Sequence, residues 1–169
     1  EDGRVAAGGS AAGTGGTGGP RAWSSNPLGY SAAFTHFLGP FPSGERPTKS
    51  FDVGGKAVTV TFDLYRLDLG TGAFQVYVND TLAAETGSFG FSDPGEGRHQ
   101  DFYGFHDATG VGWSVVSYRG PYTDQWGSYY ADEKFRVTLQ LPGGSPRFTL
   151  GLSSSAGWKF GVDNVLITD

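Results

Sequence analysis

From about residue 34 onward, apolar and polar side chains alternate with a period of two, the signature of half-buried β-strands. The clearest run is Ala57 to Leu64, where Val58, Val60, Phe62 and Leu64 define one face and Thr59, Thr61 and Asp63 the other. Phe74, Val76 and Val78 alternate with Gln75 and Tyr77, and Trp113, Val115 and Ser117 with Ser114, Val116 and Tyr118. Phe135, Val137, Leu139 and Leu141 alternate with Arg136, Thr138 and Gln140; Phe148, Leu150 and Leu152 follow the turn Pro142-Gly143-Gly144-Ser145-Pro146. The last strand carries Phe160 and Val162, then Val165 and Ile167, so its apolar positions change phase at Asp163-Asn164. A phase change inside a strand predicts a β-bulge, and a similar slip between Leu64 and Leu67 predicts a second. Short helical turns are expected only around Thr81 to Glu85 and Tyr130 to Glu133.

One-faced strands joined by Gly, Pro and Asp turns bury their apolar sides most economically as two packed antiparallel sheets, so the expected fold is an all-β sandwich. The 169 residues suit one domain, and 29 glycines and 9 prolines leave no room for a long helix or coiled coil. No apolar run reaches the roughly 20 residues of a membrane-spanning helix. Residues 1–29 stand apart. Their core, Gly8 to Pro20, is almost wholly Gly, Ala, Ser and Thr, which predicts an N-terminal segment packed on or linking to a single domain at 30–169.

There is no cysteine, which excludes disulfides, zinc–thiolate sites and thiol nucleophiles. The chain also lacks methionine and reads as a processed product or an excised segment. Its net charge of −5, with bases scattered singly, excludes a phosphate-neutralising stripe and hence nucleic acid or an anionic membrane as partner. Most of the acids are aspartate, which suits turns and oxygen-rich cation sites such as calcium.

The closing string Phe148-Thr149-Leu150-Gly151-Leu152-Ser153-Ser154-Ser155, then Trp158-Lys159-Phe160-Gly161-Val162-Asp163-Asn164-Val165, resembles the last strands of jelly-roll modules in large secreted and cell-surface proteins. Phe37-Leu38-Gly39-Pro40-Phe41 is similar to their early strand. Val60-Thr61-Phe62-Asp63-Leu64-Tyr65-Arg66-Leu67-Asp68, with Phe74-Gln75-Val76-Tyr77-Val78-Asn79, is similar to their central hairpin. The likeness covers roughly 34–80 and 130–169, and it implies a β-sandwich of jelly-roll type with long glycine-rich loops. In carbohydrate-binding relatives the Asp of the closing Asp-Asn-Val helps hold a structural calcium, a role the resemblance gives to Asp163. The plainer alternative is that Asp163 accepts backbone N–H groups at the bulge. Asp68 survives from an acidic loop that is otherwise replaced here, and could join Asp63 at a metal. The plainer reading makes Asp68 a turn cap and Asp63 a solvated strand residue.

Residues 102–130 concentrate aromatics: Phe102, Tyr103, Phe105, Trp113, Tyr118, Tyr122, Trp126, Tyr129 and Tyr130. Trp113 falls in a strand pattern with Val115 and is expected in the core. Tyr122, Trp126, Tyr129 and Tyr130 sit among Gly, Pro and Asp; with Asp124 they form the candidate ligand-binding surface, for sugar or protein alike. His99 and His106 bracket Asp101, with Asp107 adjacent, but without zinc-site spacing, and His36 alternates with Thr35 and Phe37, so surface histidines are expected. Asn79-Asp80-Thr81 is an N-glycosylation acceptor at a hairpin turn.

No nucleophile elbow, phosphate loop or His-Glu-x-x-His helix is present, and no glutamate pair marks a glycosidase strand. The expectation is therefore a non-catalytic, extracellular or cell-surface module for adhesion or assembly, with calcium as candidate cofactor. Its partners would be neighbouring protein modules or copies of itself. A glycan-binding, lectin-like module is the competing reading, and a polysaccharide-cleaving enzyme the third.

Overall fold

A computed structural model describes residues 5–6, 23–31, 34–67, 72–89, 100–118, 122–123, 131–155, 157 and 159–169. Among them are thirteen strands and no helix. In chain order these are β1 (Val5–Ala6), β2 (Leu28–Ser31), β3 (Thr35–Phe41), β4 (Thr48–Asp52), β5 (Val58–Leu67), β6 (Phe74–Val78) and β7 (Thr81–Glu85). Then follow β8 (Phe102–His106), β9 (Val111–Ser117), β10 (Tyr122–Thr123), β11 (Ala131–Leu141), β12 (Arg147–Ser154) and β13 (Lys159–Thr168).

The strands form two antiparallel sheets packed face to face, an all-β sandwich as the alternation predicts. One sheet has nine strands in the order β2-β3-β13-β5-β11-β9-β8, with β1 beside β13 and β10 beside β11; the other has four, β4-β12-β6-β7. Val60, Phe62, Leu64, Val137, Leu139 and Phe160 face inward from the large sheet and Phe74, Val76, Leu150 and Leu152 from the small one, all nearly or wholly inaccessible. Phe160 sits 5.2 Å from Phe41 and 5.6 Å from Phe74, ring centre to ring centre, so aromatic contacts cross the gap between layers. Each such side chain stabilises the fold by about 1.5–3 kcal/mol through burial.

The bulge expected in the last strand is present. β13 pairs Asp163 with Asp63 and then Leu166 with Thr61, so one extra residue is inserted and the inward positions move to Val165 and Ile167. The slip between Leu64 and Leu67 has a different cause. β5 and β11 keep an unbroken register from Val58↔Leu141 to Arg66↔Glu133, which leaves no extra residue there. Instead β5 is buried on both faces beyond Phe62, because Tyr65 and Leu67 join Phe34 and Phe37 in a second apolar cluster outside the large sheet. Phe34 stacks on Tyr65 at 4.3 Å and Phe37 meets it edge-on at 5.4 Å. Phe37 fits only because Gly29 and Gly161 flank it; a Cβ on either would overlap its ring.

The expected helical turns are strands. Thr81–Glu85 is β7, joined to β6 through Asn79 and Asp80, both with positive φ (50° and 63°), as a two-residue type I′ hairpin demands. A register shift in that hairpin buries Ala83 and Ala84 side by side, and two adjacent buried alanines imitate a helical pattern. Ala131 to Glu133 begin β11.

Candidate functional site

The outer face of the large sheet is organised in rungs, because antiparallel pairing sets residues of neighbouring strands about 4.8 Å apart. One rung runs Asp163, Asp63, Arg136, Val116 across β13, β5, β11 and β9. The next polar rung towards the start of β5 holds Thr61, Thr138, Ser114 and Tyr103; beyond it lie Thr59, Gln140, Gly112 and Phe105.

Asp63 is the centre of the first rung. It is 1% exposed, so the reading of a solvated strand residue is corrected: the cluster around Tyr65 and the long side chains of β11 cover it. Its carboxylate accepts from Arg136 Nε at 2.9 Å on Oδ1, and on Oδ2 from Lys134 Nζ at 2.9 Å and Asn164 Nδ2 at 2.7 Å. Lys134 also lies 4.7 Å from the Tyr118 ring centre, a cation–π contact. Asn164 reaches Asp63 because the bulge sets it in the left-handed region, φ 53°. Neighbouring Asp163 accepts the Asn164 backbone N–H at 2.8 Å, the plainer of the two roles expected for it. Partial burial pushes the Asp163 carboxyl above the usual aspartate range, and the Asp63 charge adds to this against the Asn164 hydrogen bond. Burial, then Asp163 and Asp63, push the Tyr65 phenol far upward, so it stays protonated.

A calcium ion needs several oxygens around it. Two cations and an amide already occupy Asp63, so it does not fit as a ligand without losing them. Asp163 is then a single carboxylate, and Asp68 lies outside the described residues.

The second part of the face is aromatic. Tyr103 and Phe105 are 68% and 64% exposed, on the outward side of β8, which among the described residues is the edge strand of the sheet. Their cross-strand neighbours are Ser114 and Gly112, too small to cover the rings. Phe102 points the other way and packs on Phe89 at 5.0 Å, and Trp113 leans against the core over Gly104, whose missing Cβ makes room for the indole. The opposite edge, β2, exposes Leu28 and Tyr30.

Of the residues predicted for ligand binding, Tyr122 belongs to β10 and pairs with Asp132; Asp124, Trp126, Tyr129 and Tyr130 lie outside the described residues. Asp63 and Asp163 do come together. Sequence reasoning missed Lys134, Arg136 and Asn164 as partners of Asp63, and Tyr103 and Phe105 as the exposed pair. Asn79 sits exposed on the small sheet, where its Oδ1 accepts the Thr149 N–H at 2.9 Å. His36 is exposed beside Tyr30, and His106 Nδ1 lies 3.0 Å from Thr109 Oγ1. His99 lies outside the described residues, and among those described no three of His, Cys, Asp and Glu gather as a metal group. A cavity of about 250 Å³ opens between the sheets near Val58, Val78, Val111 and Phe148, with Lys56 and Asn79 also lining it.

The class is thus set by architecture: an antiparallel β-sandwich whose larger sheet carries a buried ionic cluster and an aromatic edge. The chain matches no family model and no curated protein.

Proposed function

We propose that the chain is a non-catalytic extracellular module for adhesion or assembly, with the outer β8 side of the large sheet as its contact surface. The observation that carries this reading is the exposure of Tyr103 and Phe105 on an edge strand, where two rings supply rigid contact area at little entropic cost. The order of motifs along the chain, similar to that of secreted jelly-roll modules, supports the extracellular placement. The enclosure of Asp63 counts against polysaccharide cleavage, which needs two accessible carboxyl groups. Calcium enters this reading only through Asp163. The partner is a neighbouring module or a further copy of the chain.

Glycan binding is the second reading, favoured by one specific feature. Gly112 and Ser114 leave the ring faces clear for the apolar side of a sugar, while Thr138 and Gln140 on the next strand offer hydroxyl and amide groups. One pair of measurements separates the two: sedimentation over a range of protein concentrations, and binding to a polysaccharide array. Tyr103→Ala/Phe105→Ala is expected to keep its melting temperature, since exposed positions change stability by about 0.5 kcal/mol or less, and to lose self-association or glycan binding. A double variant that associates and binds as the parent does removes the β8 surface from the proposal.

A further inference from the structure

Three strands bring an amine, a carboxamide and a carboxylate to one point. Lys134 Nζ on β11 lies 2.9 Å from Asp63 Oδ2, and Asn164 Nδ2 on β13 donates to the same oxygen at 2.7 Å. Two donors on one oxygen can be no further apart than the two contacts laid end to end, and the Asn164 carboxamide carbon is one bond from its nitrogen. Asp63 sits between them on β5, the strand that pairs with both β11 and β13. Arg136 holds its other oxygen at 2.9 Å, which fixes the orientation of the carboxylate.

We propose that Lys134 and Asn164 are the partners of an intramolecular isopeptide bond that the folded chain forms on itself, with Asp63 as proton carrier. Asp63 Oδ2 takes a proton from the Lys134 ammonium, and the freed Nζ lone pair attacks Asn164 Cγ to give a tetrahedral carbon. Asp63 hands that proton to Nδ2 and takes a second one from Nζ; the Cγ–Nδ2 bond breaks, and the departing ammonia carries the second proton away as ammonium. Lysine ammonium and carboxamide become a secondary amide and an ammonium ion, and Asp63 ends as the carboxylate it began. No oxidant, metal or cofactor enters the balance.

Several features of the cluster serve this step. An uncatalysed amide is a poor electrophile, so the rate must come from position, and fixed neighbours reach effective concentrations of about 10⁵ M or more. The bulge supplies that position: Asn164 is held at φ 53°, a conformation that non-glycine residues seldom adopt, with its amide turned onto Asp63. Asn164 is exposed, so ammonia has a path to solvent. Asp63 is 1% exposed and Lys134 lies beneath the Tyr118 ring, which limits water at the reacting nitrogen. The product would tie β11 to β13 across β5.

The test is the mass of the purified, fully denatured chain together with a peptide map. The expected mass falls short of the sequence mass by one molecule of ammonia, with a branched peptide joining the segments that contain Lys134 and Asn164. Lys134→Arg, which keeps a cation on Asp63 and so the fold, is expected to show the full mass, as is Asn164→Ala. Wild-type protein at full sequence mass overturns the proposal. So does ammonia loss with Lys134 and Asn164 recovered in separate peptides, which marks a succinimide at Asn164, and so does a Lys134→Arg variant that keeps the lowered mass.

Discussion

Asp63 and Asp163 face each other across β5 and β13, yet their surroundings treat them oppositely. Asp63 has three donors, whereas Asp163 has, among the described residues, one hydrogen bond, partial burial and a like charge beside it. A carboxyl whose value is raised on folding binds its proton more tightly in the native state. Its contribution to stability is present below the ordinary aspartate value of about 4 and is lost as pH climbs through the raised native value. Asp163→Asn should therefore be at least as stable as the parent at neutral pH in the presence of a chelator, with a flatter stability profile on its acid side. Urea denaturation at a series of pH values checks this, and a variant clearly weaker at pH 7 would contradict it. The sequence placed both aspartates on the wet side of their strands but could not show that one of those sides is buried. That depends on Phe34, Phe37 and Tyr65 meeting outside the sheet, which alternation alone does not reveal.

At the scale of elements, β13 and β5 make an instructive pair. Both showed a change of apolar phase, but one change comes from an inserted residue and the other from a strand with cores on both sides. In β13 the insertion sets Asn164 in a left-handed conformation that costs an ordinary L-residue about 1–2 kcal/mol. Asn164→Ala should accordingly lose more stability than Asn164→Gly. Both variants lack the amide, so the difference in their unfolding midpoints isolates the backbone. Equal losses would mean that the bulge relaxes. β8 was harder to read, because Phe102, Tyr103 and Phe105 are apolar on both sides of the strand. Which pair faces outward follows only from the pairing of β8 with β9.

At the scale of the whole molecule, the two-sheet arrangement was legible because nearly every long alternating run became a strand at close to its expected bounds. The site was less so, since it is assembled from β5, β11 and β13, which are far apart in sequence. The same scale decides the calcium question, for a ligand that binds only the native state raises its melting temperature with concentration. Calcium at Asp163 predicts such a rise for the parent and none for Asp163→Asn. A melting temperature indifferent to calcium and chelator strikes the ion from the proposal.

The place of β5 has a bearing on how the chain is made. Its two neighbours in the sheet are residues 131–141 and 159–168, so while the protein emerges from the ribosome the backbone of β5 stays unpaired on both sides until these later segments arrive. Closure of the sheet's middle must then wait for both, and contacts this distant along the chain make for slow folding. During that interval the nascent protein depends on whatever keeps greasy strands from one another.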